Sequence, residues 1–272
     1  MSLPLKPTFA QHLAHRRRAG GSALAGMWLC SGSPVMAEIC AGSGLDWLLL
    51  DAEHSPLSLM DMQVQLQAIA AYPITAAIRV PAADPVLIKQ ILDLGSQNIV
   101  VPMISSAAEA EAAVTAASYP PRGIRGVGSA LARSGRWGRI PGYLQEASTH
   151  VSVTIQIESM EAVDNVAEIL AVEGVDAVFI GPSDLAASMG LLGQQSHPDV
   201  VAAAHSVIAA AHAAGKPVGI NAFDPQVAQS YLEAGVDFLL VGADVSLVAR
   251  GSEALAKRFG SPAEGEAKPA QY

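Results

Sequence analysis

The chain has 272 residues, of which 51% are hydrophobic and 15% are charged. This length and composition are typical of a globular protein with a sizeable core. The net charge is −9 and the only run of like charges is Arg16 to Arg18, which argues against a broad cationic surface for nucleic acid.

The N-terminal region, residues 1–20, is interpreted as an extension that contains a helix. The stretch RRRAGGSALAGMWLC resembles a secretory leader, because basic residues precede an apolar region. That region is only weakly apolar, and its removal would delete Met27 to Leu29, which the strand pattern requires. The chain has no uninterrupted run of about 18 apolar residues, and its two cysteines, Cys30 and Cys40, are interpreted as free thiols. We therefore expect a cytoplasmic protein without a membrane span.

Eight short apolar runs recur along the rest of the chain, and most are followed by a helical pattern. The runs are GMWLCS, DWLLLDAEH, TAAIRVP, GSQNIVVPM, SVTIQIES, GVDAVFIGPSD, KPVGINAF and GVDFLLVGAD. Helical stretches such as DPVLIKQILDLG carry apolar residues at spacings of three and four and end in glycine. Buried strands that alternate with helices predict a parallel sheet, and eight such units predict a single-domain α/β (β/α)8 TIM barrel over residues 21–259. The polar segment 260–272 is predicted to be a flexible tail.

Polar residues cluster at the ends of the predicted strands. In a (β/α)8 barrel the C-terminal ends of the strands converge on one face, where the connecting loops build the active site. The residues that this rule collects are Trp28, Asp51, Glu53, His54, Arg79, Gln156, Glu158, Asp184 and Asn221. We therefore expect these side chains to share one pocket.

Two of these residues, Glu158 and Asp184, are carboxylates at the ends of neighbouring strands. Each one alone could instead stabilise the first turn of the helix that follows it. Together they would repel each other unless a cation lay between them, and hard divalent ions such as Mg²⁺ and Mn²⁺ accept carboxylate oxygens and water as ligands. The pair therefore predicts a metal site, with a helix-capping role as the alternative.

Arg79 and His54 are the candidate catalytic side chains. Arg79 lies inside the apolar run AAIRVP, where a guanidinium needs an anionic partner, and a carboxylate-bearing substrate would supply one. His54 follows Asp51 by three residues, so that carboxylate can orient the imidazole and favour its protonated form. A purely structural role is the alternative for His54.

Several segments, in consistent order between about residues 20 and 258, match those of one known family. They are GMWL, DWLLLDAEH, AIRVP, LDLGSQNIVVPM, YPPRGIRGVGSALAR, VTIQIES, GVDAVFIGPSDLAASMG and VGADVSLVARG. In these segments the chain resembles the metal-dependent class II pyruvate aldolases of the HpcH/HpaI type. The resemblance implies that the glutamate of QIE and the aspartate of GPSDL, here Glu158 and Asp184, bind a divalent ion such as Mg²⁺, Mn²⁺ or Co²⁺.

The resemblance also implies roles for the other residues of the expected pocket. The family's histidine of the D-x-E-H element, here His54, is the catalytic base, and the aspartate three residues before it, here Asp51, holds it. The family's third-strand arginine, here Arg79, binds pyruvate and its enolate. The substrate-binding residues would be Trp28, Gln156, Gly181, Pro182 and Ser183, to which the strand-end rule adds Asn221. The asparagine stands where relatives tend to carry an apolar residue, which leaves the aldehyde partner open.

The reaction implied by the resemblance is the reversible cleavage of 4-hydroxy-2-oxo acids, such as the 4-hydroxy-2-oxoheptanedioate of aromatic catabolism, to pyruvate and an aldehyde through a metal-stabilised enolate. Lys89, Lys216 and Lys257 lie outside the strand ends, which argues against an aldolase that forms a Schiff base. Three alternatives stay open for the same barrel. They are a 2-dehydro-3-deoxyglucarate-type or hydroxypyruvate-using aldolase, an oxaloacetate decarboxylase, and a non-catalytic barrel that binds a keto acid.

The segment 119–145, YPPRGIRGVGSALARSGRWGRIPGYLQ, is far longer than the connection of about 2 to 6 residues usual between a helix and a strand. The segment begins where the preceding helix ends, on the barrel face opposite the active site. It can therefore reach an active site only by running along the outside of its own barrel or by extending into a neighbouring subunit. Relatives that the chain resembles are hexamers built from trimers. We therefore expect a homo-oligomer, a hexamer, in which Val127 or its surroundings complete an adjacent site.

Overall fold

The strands form a closed parallel barrel, as the sequence predicted. The computed structural model describes residues 5–260, so from residue 261 onward the predicted tail lies outside the described residues. Neighbouring strands in the chain pair in parallel, and the last strand pairs with the first. The strands are β1 (Leu24–Leu29), β2 (Trp47–Asp51), β3 (Thr75–Arg79), β4 (Asn98–Val101), β5 (Ser152–Ile157), β6 (Ala177–Ile180), β7 (Val218–Asn221) and β8 (Phe238–Ala243). This order confirms the single-domain (β/α)8 barrel.

Helices surround the barrel and begin at capping residues that are visible in the sequence. The side chains of Ser58 and Ser106 accept the backbone N–H three residues later, and Asp61 and Glu109 at those positions bond back to the cap. The helices are α1 (Phe9–Arg18), α2 (Pro34–Ala41), α3 (Leu59–Ile69), α4 (Pro85–Asp93), α5 (Ala107–Ala117), α6 (Tyr143–Glu146), α7 (Met160–Asp164), α8 (Val166–Ala171), α9 (Pro182–Ser188), α10 (Pro198–Ala213), α11 (Pro225–Glu233) and α12 (Asp244–Phe259). Across residues 5–260 no helix combines the length and apolar character needed to cross a membrane.

Aromatic side chains close the N-terminal end of the barrel. Phe9 of α1 packs on Trp47 and Phe238, with ring centroids 4.8 and 5.0 Å apart. This packing requires glycine on the strands, because a Cβ on Gly26 would lie 2.3 Å from Trp47 Nε1 and a Cβ on Gly219 would lie 2.2 Å from the Phe238 ring. The rings fill the barrel interior at this end, so a ligand approaches the interior from the C-terminal end.

Strand register brings polar residues to one level at that C-terminal end. Asp51 of β2 lies beside Arg79 of β3 in the ladder, and both residues end their strands. Gln156 of β5 is the register partner of Phe179 in β6. Glu158 follows Gln156 by two residues and therefore points to the same side of the barrel wall. The strand register alone therefore places these side chains at the same level of the barrel.

The segment 119–145 packs on the outer surface of the barrel, near the end of α4. Arg125 is buried, and its Nη2 lies 2.7 Å from Asp93 Oδ1. Arg133 Nη1 donates to the carbonyl oxygen of Leu94 at 3.0 Å. Since Asp93 and Leu94 end α4, the segment lies toward the barrel end opposite the strand C-termini. These contacts anchor the segment on its own chain, but they leave Val127 65% exposed.

Candidate active site

A cavity of about 500 Å³ opens at the C-terminal end of the barrel. Apart from Glu53 and Glu158, every residue expected in the site lines this cavity. These residues are Trp28, Asp51, His54, Arg79, Gln156, Gly181, Pro182, Ser183, Asp184 and Asn221. Glu158 lies directly behind the lining, where a Cβ on Gly181 would be 3.0 Å from Glu158 Oε2. The structure therefore brings the predicted residues together.

Arg79 is buried and is held by two carboxylates of its own chain. Its Nε donates to Asp51 Oδ1 at 2.9 Å, and its Nη1 lies 2.9 Å from Glu53 Oε2. Its guanidinium carbon also lies 4.3 Å from the centroid of the Trp28 ring, at the distance of a cation–π contact. The anionic partner that the sequence placed in a substrate is thus supplied in part by Asp51 and Glu53.

Glu53 is a functional candidate for which the sequence indicated a position but no role. Burial raises the pKa of its carboxyl group, and the neighbouring Arg79 charge opposes that shift. In an extended chain, side chains two residues apart point to the same side, so the sequence predicted that Glu53 lies beside Asp51. The ion pair with Arg79 also depends on β3, which is distant in sequence.

Asp51 does not hold the imidazole of His54, in contrast to the sequence-based expectation. The chain turns after β2, so Asp51 Oδ1 accepts the backbone N–H groups of Glu53 at 3.1 Å and His54 at 3.3 Å. The His54 side chain is 62% exposed at the cavity mouth, and its Nε2 lies 3.8 Å from Glu53 Oε1. Asp51 therefore positions the backbone of His54, whereas Glu53 is the carboxylate next to its ring.

Glu158 is a buried carboxylate at the end of β5. Its pKa is raised to about 7, mainly by burial and also by the charges of Glu53 and Asp184, while hydrogen bonds from the Met103 backbone and the Gln156 side chain oppose the shift. That N–H donates to Glu158 Oε1 at 2.6 Å, and Gln156 Nε2 donates to Glu158 Oε2. Met103 has a left-handed backbone, with φ 58°, and the sequence carried no signal for this contact.

The helix-capping alternative fails for Glu158. The N-cap of α7 is Ser159, whose side chain accepts from the N–H of Ala162. Asp184 does lie in the first turn of α9, so its position is compatible with both proposed roles, but its side chain also lines the cavity. The pair is therefore not explained by capping alone.

The surroundings of Glu158 and Asp184 fit a hard divalent cation. The negative charge of Asp184 raises the pKa of Glu158, so a cation near both groups would stabilise the ionised Glu158 carboxylate. Gln156 Oε1 is buried without a hydrogen-bond partner in the described chain. Within residues 5–260 no cluster of three or more His, Cys, Asp or Glu side chains is arranged as a metal site. Two carboxylates, with water and substrate oxygens as further ligands, are a donor set typical of Mg²⁺.

Comparisons with known proteins identify the family of the chain. Residues 24–251 match the family described as HpcH/HpaI aldolase/citrate lyase. The chain is 52% identical over 247 residues to the 4-hydroxy-2-oxo-heptane-1,7-dioate aldolase of Shigella sonnei, covering 91% of this chain and 94% of the relative. The Escherichia coli protein of that name is 51% identical with the same coverage. A solved HpcH/HpaI aldolase/citrate lyase family protein from Burkholderia cenocepacia is 42% identical, with a TM-score of 0.87 over 92% of this chain and 99% of that chain. These matches confirm the resemblance seen in the sequence, and the chain belongs to the HpcH/HpaI aldolase/citrate lyase family and is an aldolase.

Proposed function

We propose that this aldolase depends on a divalent metal ion and cleaves 4-hydroxy-2-oxo acids, such as 4-hydroxy-2-oxoheptanedioate, to pyruvate and an aldehyde, and also catalyses the reverse reaction. The observation that carries the proposal is one cavity whose lining includes both Arg79 and Asp184, with Glu158 directly behind the lining at Gly181. The names of the relatives that are 51–52% identical support the choice of substrate.

Glu158 and Asp184 are the residues that would hold Mg²⁺, Mn²⁺ or Co²⁺. A bound divalent ion supplies Lewis acidity toward the carboxylate and keto oxygens of a 2-oxo acid. Gln156 orients Glu158 through the hydrogen bond between its Nε2 and Glu158 Oε2. Gly181 keeps the space in front of Glu158 open, because a Cβ at this position would lie 3.0 Å from both Gln156 Nε2 and Glu158 Oε2.

Arg79 is assigned to the pyruvate half of the substrate. Its guanidinium is oriented by Asp51, by Glu53 and by the face of Trp28, so it offers a fixed positive charge at the cavity wall. That charge offsets the negative charge that develops on pyruvate as the C3–C4 bond breaks. The backbone of Gly181, Pro182 and Ser183 lines the same cavity and is assigned to holding the pyruvate carboxylate.

His54 is assigned as the general base. In the cleavage direction its imidazole takes the proton from the C4 hydroxyl, and in the aldol direction it returns that proton. The exposed His54 ring lies at the mouth of the same cavity that is lined by Arg79 and Asp184. Asp51 contributes by fixing the His54 backbone, and Glu53 lies near enough to stabilise a protonated ring.

The base role is tested by comparing two reactions of one variant. Oxaloacetate decarboxylation has no C4 hydroxyl to deprotonate, so His54→Ala is expected to lower aldol cleavage about 10²-fold or more while decarboxylation falls much less. Both rates are measured as pyruvate formation. Equal losses in both reactions would remove His54 from this role.

The substrate class is tested by coupled assay of pyruvate release from a panel of 4-hydroxy-2-oxo acids, with oxaloacetate and 2-dehydro-3-deoxyglucarate included. We expect cleavage of the 4-hydroxy-2-oxo acids to exceed the other activities. Decarboxylation alone would favour the decarboxylase alternative. Pyruvate binding without turnover of any compound would favour a keto-acid sensor.

We further propose that the enzyme is a cytoplasmic homo-oligomer, a hexamer, in which the segment 119–145 completes a neighbouring site. The segment lines no part of its own chain's cavity among the described residues, yet it exposes Val127 and Leu131. In α12 only Asp244 is buried, and the apolar side chains of Leu247 and Leu255 are about 60% exposed. Cys30 and Cys40 are unpaired, which suits a reducing compartment.

A further inference from the structure

Asn221 stands at a junction between two cavities. The active-site cavity of about 500 Å³ and a second cavity of about 640 Å³ share Pro182, Gln195, Asn221 and Phe223 in their linings. The second cavity continues away from Arg79, toward the start of α11. If the Arg79 side holds pyruvate, as the proposed function requires, the aldehyde half of the substrate extends past Asn221.

Trp28 determines the orientation of the Asn221 amide. The indole Nε1 of Trp28 is a donor only, and it lies 2.9 Å from Asn221 Oδ1. The amide oxygen therefore faces Trp28, and the amide nitrogen Nδ2 faces away from it. Among residues 5–260 no protein acceptor forms a hydrogen bond with this nitrogen, and Asn221 lines both cavities.

Trp28 is in turn held firmly by its neighbours. It is buried, its ring lies 4.3 Å from the guanidinium carbon of Arg79, and it makes an edge contact with Phe179 at 6.2 Å between centroids. A fixed indole fixes the amide that accepts its N–H. Asn221 Nδ2 is therefore a donor at a defined position relative to Arg79.

We propose that Asn221 Nδ2 donates a hydrogen bond to an oxygen substituent on the aldehyde half of the substrate, which makes the enzyme selective for hydroxyaldehydes over alkyl aldehydes of the same size. A hydroxyl oxygen accepts this bond. A methyl group in the same place cannot accept it and would leave the donor without a partner. The proposal rests on the proposed aldolase function, since only that reaction has an aldehyde half.

The test uses aldehydes that differ only by hydroxyl in place of methyl, in the aldol direction with pyruvate. The pairs are glycolaldehyde with propanal and 3-hydroxypropanal with butanal, and the quantity measured is the ratio of kcat/KM within each pair. Asn221→Leu removes both the acceptor and the donor of the amide. Asn221→Asp keeps the shape and the oxygen that accepts from Trp28 but removes the donor, so it is the matched control for the indole contact.

We expect both variants to lower the ratio in at least one pair by about fivefold or more relative to the wild type. An unchanged ratio in both variants would overturn the proposal. A ratio that falls for Asn221→Leu but not for Asn221→Asp would also overturn it, because the effect would then come from Trp28. Exchange of the pyruvate C3 protons by the wild type, which involves no aldehyde, separates this outcome from failure of the proposed function.

Discussion

Arg79 connects the carboxylates that follow β2 with the aromatic wall of the site. Its nitrogen atoms lie 2.9 Å from oxygen atoms of Asp51 and Glu53, and its guanidinium carbon lies 4.3 Å from the Trp28 ring centroid. The planar guanidinium contacts both carboxylates through different nitrogen atoms, and the single ammonium group of a lysine cannot reproduce this geometry. The position and the charge of this group are both used in the proposed reaction.

Arg79→Ala is expected to lower kcat/KM for cleavage by about 10²-fold or more and to raise KM for pyruvate in the aldol direction. The reason is that the guanidinium meets both the bound pyruvate and the charge that develops on it. Arg79→Lys is the matched variant, and it should retain part of the activity because it keeps the charge without the planar guanidinium. The measurement is kcat and KM by steady-state kinetics, on variants whose cooperative thermal unfolding shows that they are folded. Unchanged kcat and KM in Arg79→Ala would make Arg79 structural.

Glu158 should make the metal-free protein sensitive to pH. Burial raises its pKa to about 7 in the folded state, whereas a glutamate of the unfolded chain titrates near about 4.3. The folded state therefore binds the proton more tightly, and this contribution to stability is lost as pH rises from about 4.3 through about 7. The glutamine of Glu158→Gln cannot ionise, so the stability of this variant does not show that decrease as pH rises.

The measurement is denaturant unfolding in chelator between about pH 5 and about pH 8. We expect the wild type to lose about 1–3 kcal/mol of unfolding free energy relative to Glu158→Gln over this range. Other titrating groups are common to both proteins and cancel in the comparison. Parallel stability profiles for the two proteins would show that the burial of Glu158 does not control its protonation.

At the residue scale, the sequence predicted the members of the site better than their contacts. Strand-end position alone selected residues such as Arg79 and Asp184, because the barrel sends every strand end to one face. The pairing of Glu53 with Arg79 depends on the turn after β2 and on the register of β3. The Met103 N–H bond to Glu158 uses a backbone donor, which no side-chain pattern can indicate.

At the scale of elements, strands were easier to predict than the path of the long connection. All eight apolar runs became barrel strands, since strands buried on both faces need near-continuous apolar sequence. The segment 119–145 has no such periodicity. Its anchors are single contacts, such as Arg125 with Asp93, between positions 32 residues apart. Contacts of this kind arise from tertiary packing, which local pattern does not encode.

The β6–α9 connection contains Gly181, whose substitution tests the proposed metal site without changing a charged residue. A Cβ on Gly181 would lie 3.0 Å from both Gln156 Nε2 and Glu158 Oε2, whereas a Cβ on Gly242 in β8 would lie 3.8 Å from its nearest neighbour, Met27 Sδ. We expect Gly181→Ala to weaken binding of Mn²⁺ about tenfold or more and Gly242→Ala to leave it unchanged. Isothermal titration calorimetry gives both affinities. Equal affinities for the two variants would show that the space beside Glu158 is not part of a metal site.

At the scale of the whole molecule, the proposed assembly depends on apolar side chains that one chain leaves exposed. Leu131 in the segment 119–145 is 89% exposed, and Leu192, outside that segment, is 82% exposed. We expect Leu131→Asp to dissociate the oligomer and to lower aldolase activity, because a charge in an apolar interface is costly to desolvate. Leu192→Asp should leave the mass unchanged. Light scattering provides the mass, and a fully active wild-type monomer near 28.0 kDa would contradict the assembly.

The most direct test of the account is the metal dependence of the wild-type enzyme. The protein is treated with excess chelator, and pyruvate release from 4-hydroxy-2-oxoheptanedioate is measured before and after addition of Mg²⁺, Mn²⁺ or Co²⁺. We predict that chelation abolishes cleavage, that at least one of these ions restores it, and that neither Glu158→Ala nor Asp184→Ala is restored at the same concentration. Full activity of the wild type in excess chelator would contradict the account, because the reaction would then proceed without the ion that these two carboxylates are proposed to hold.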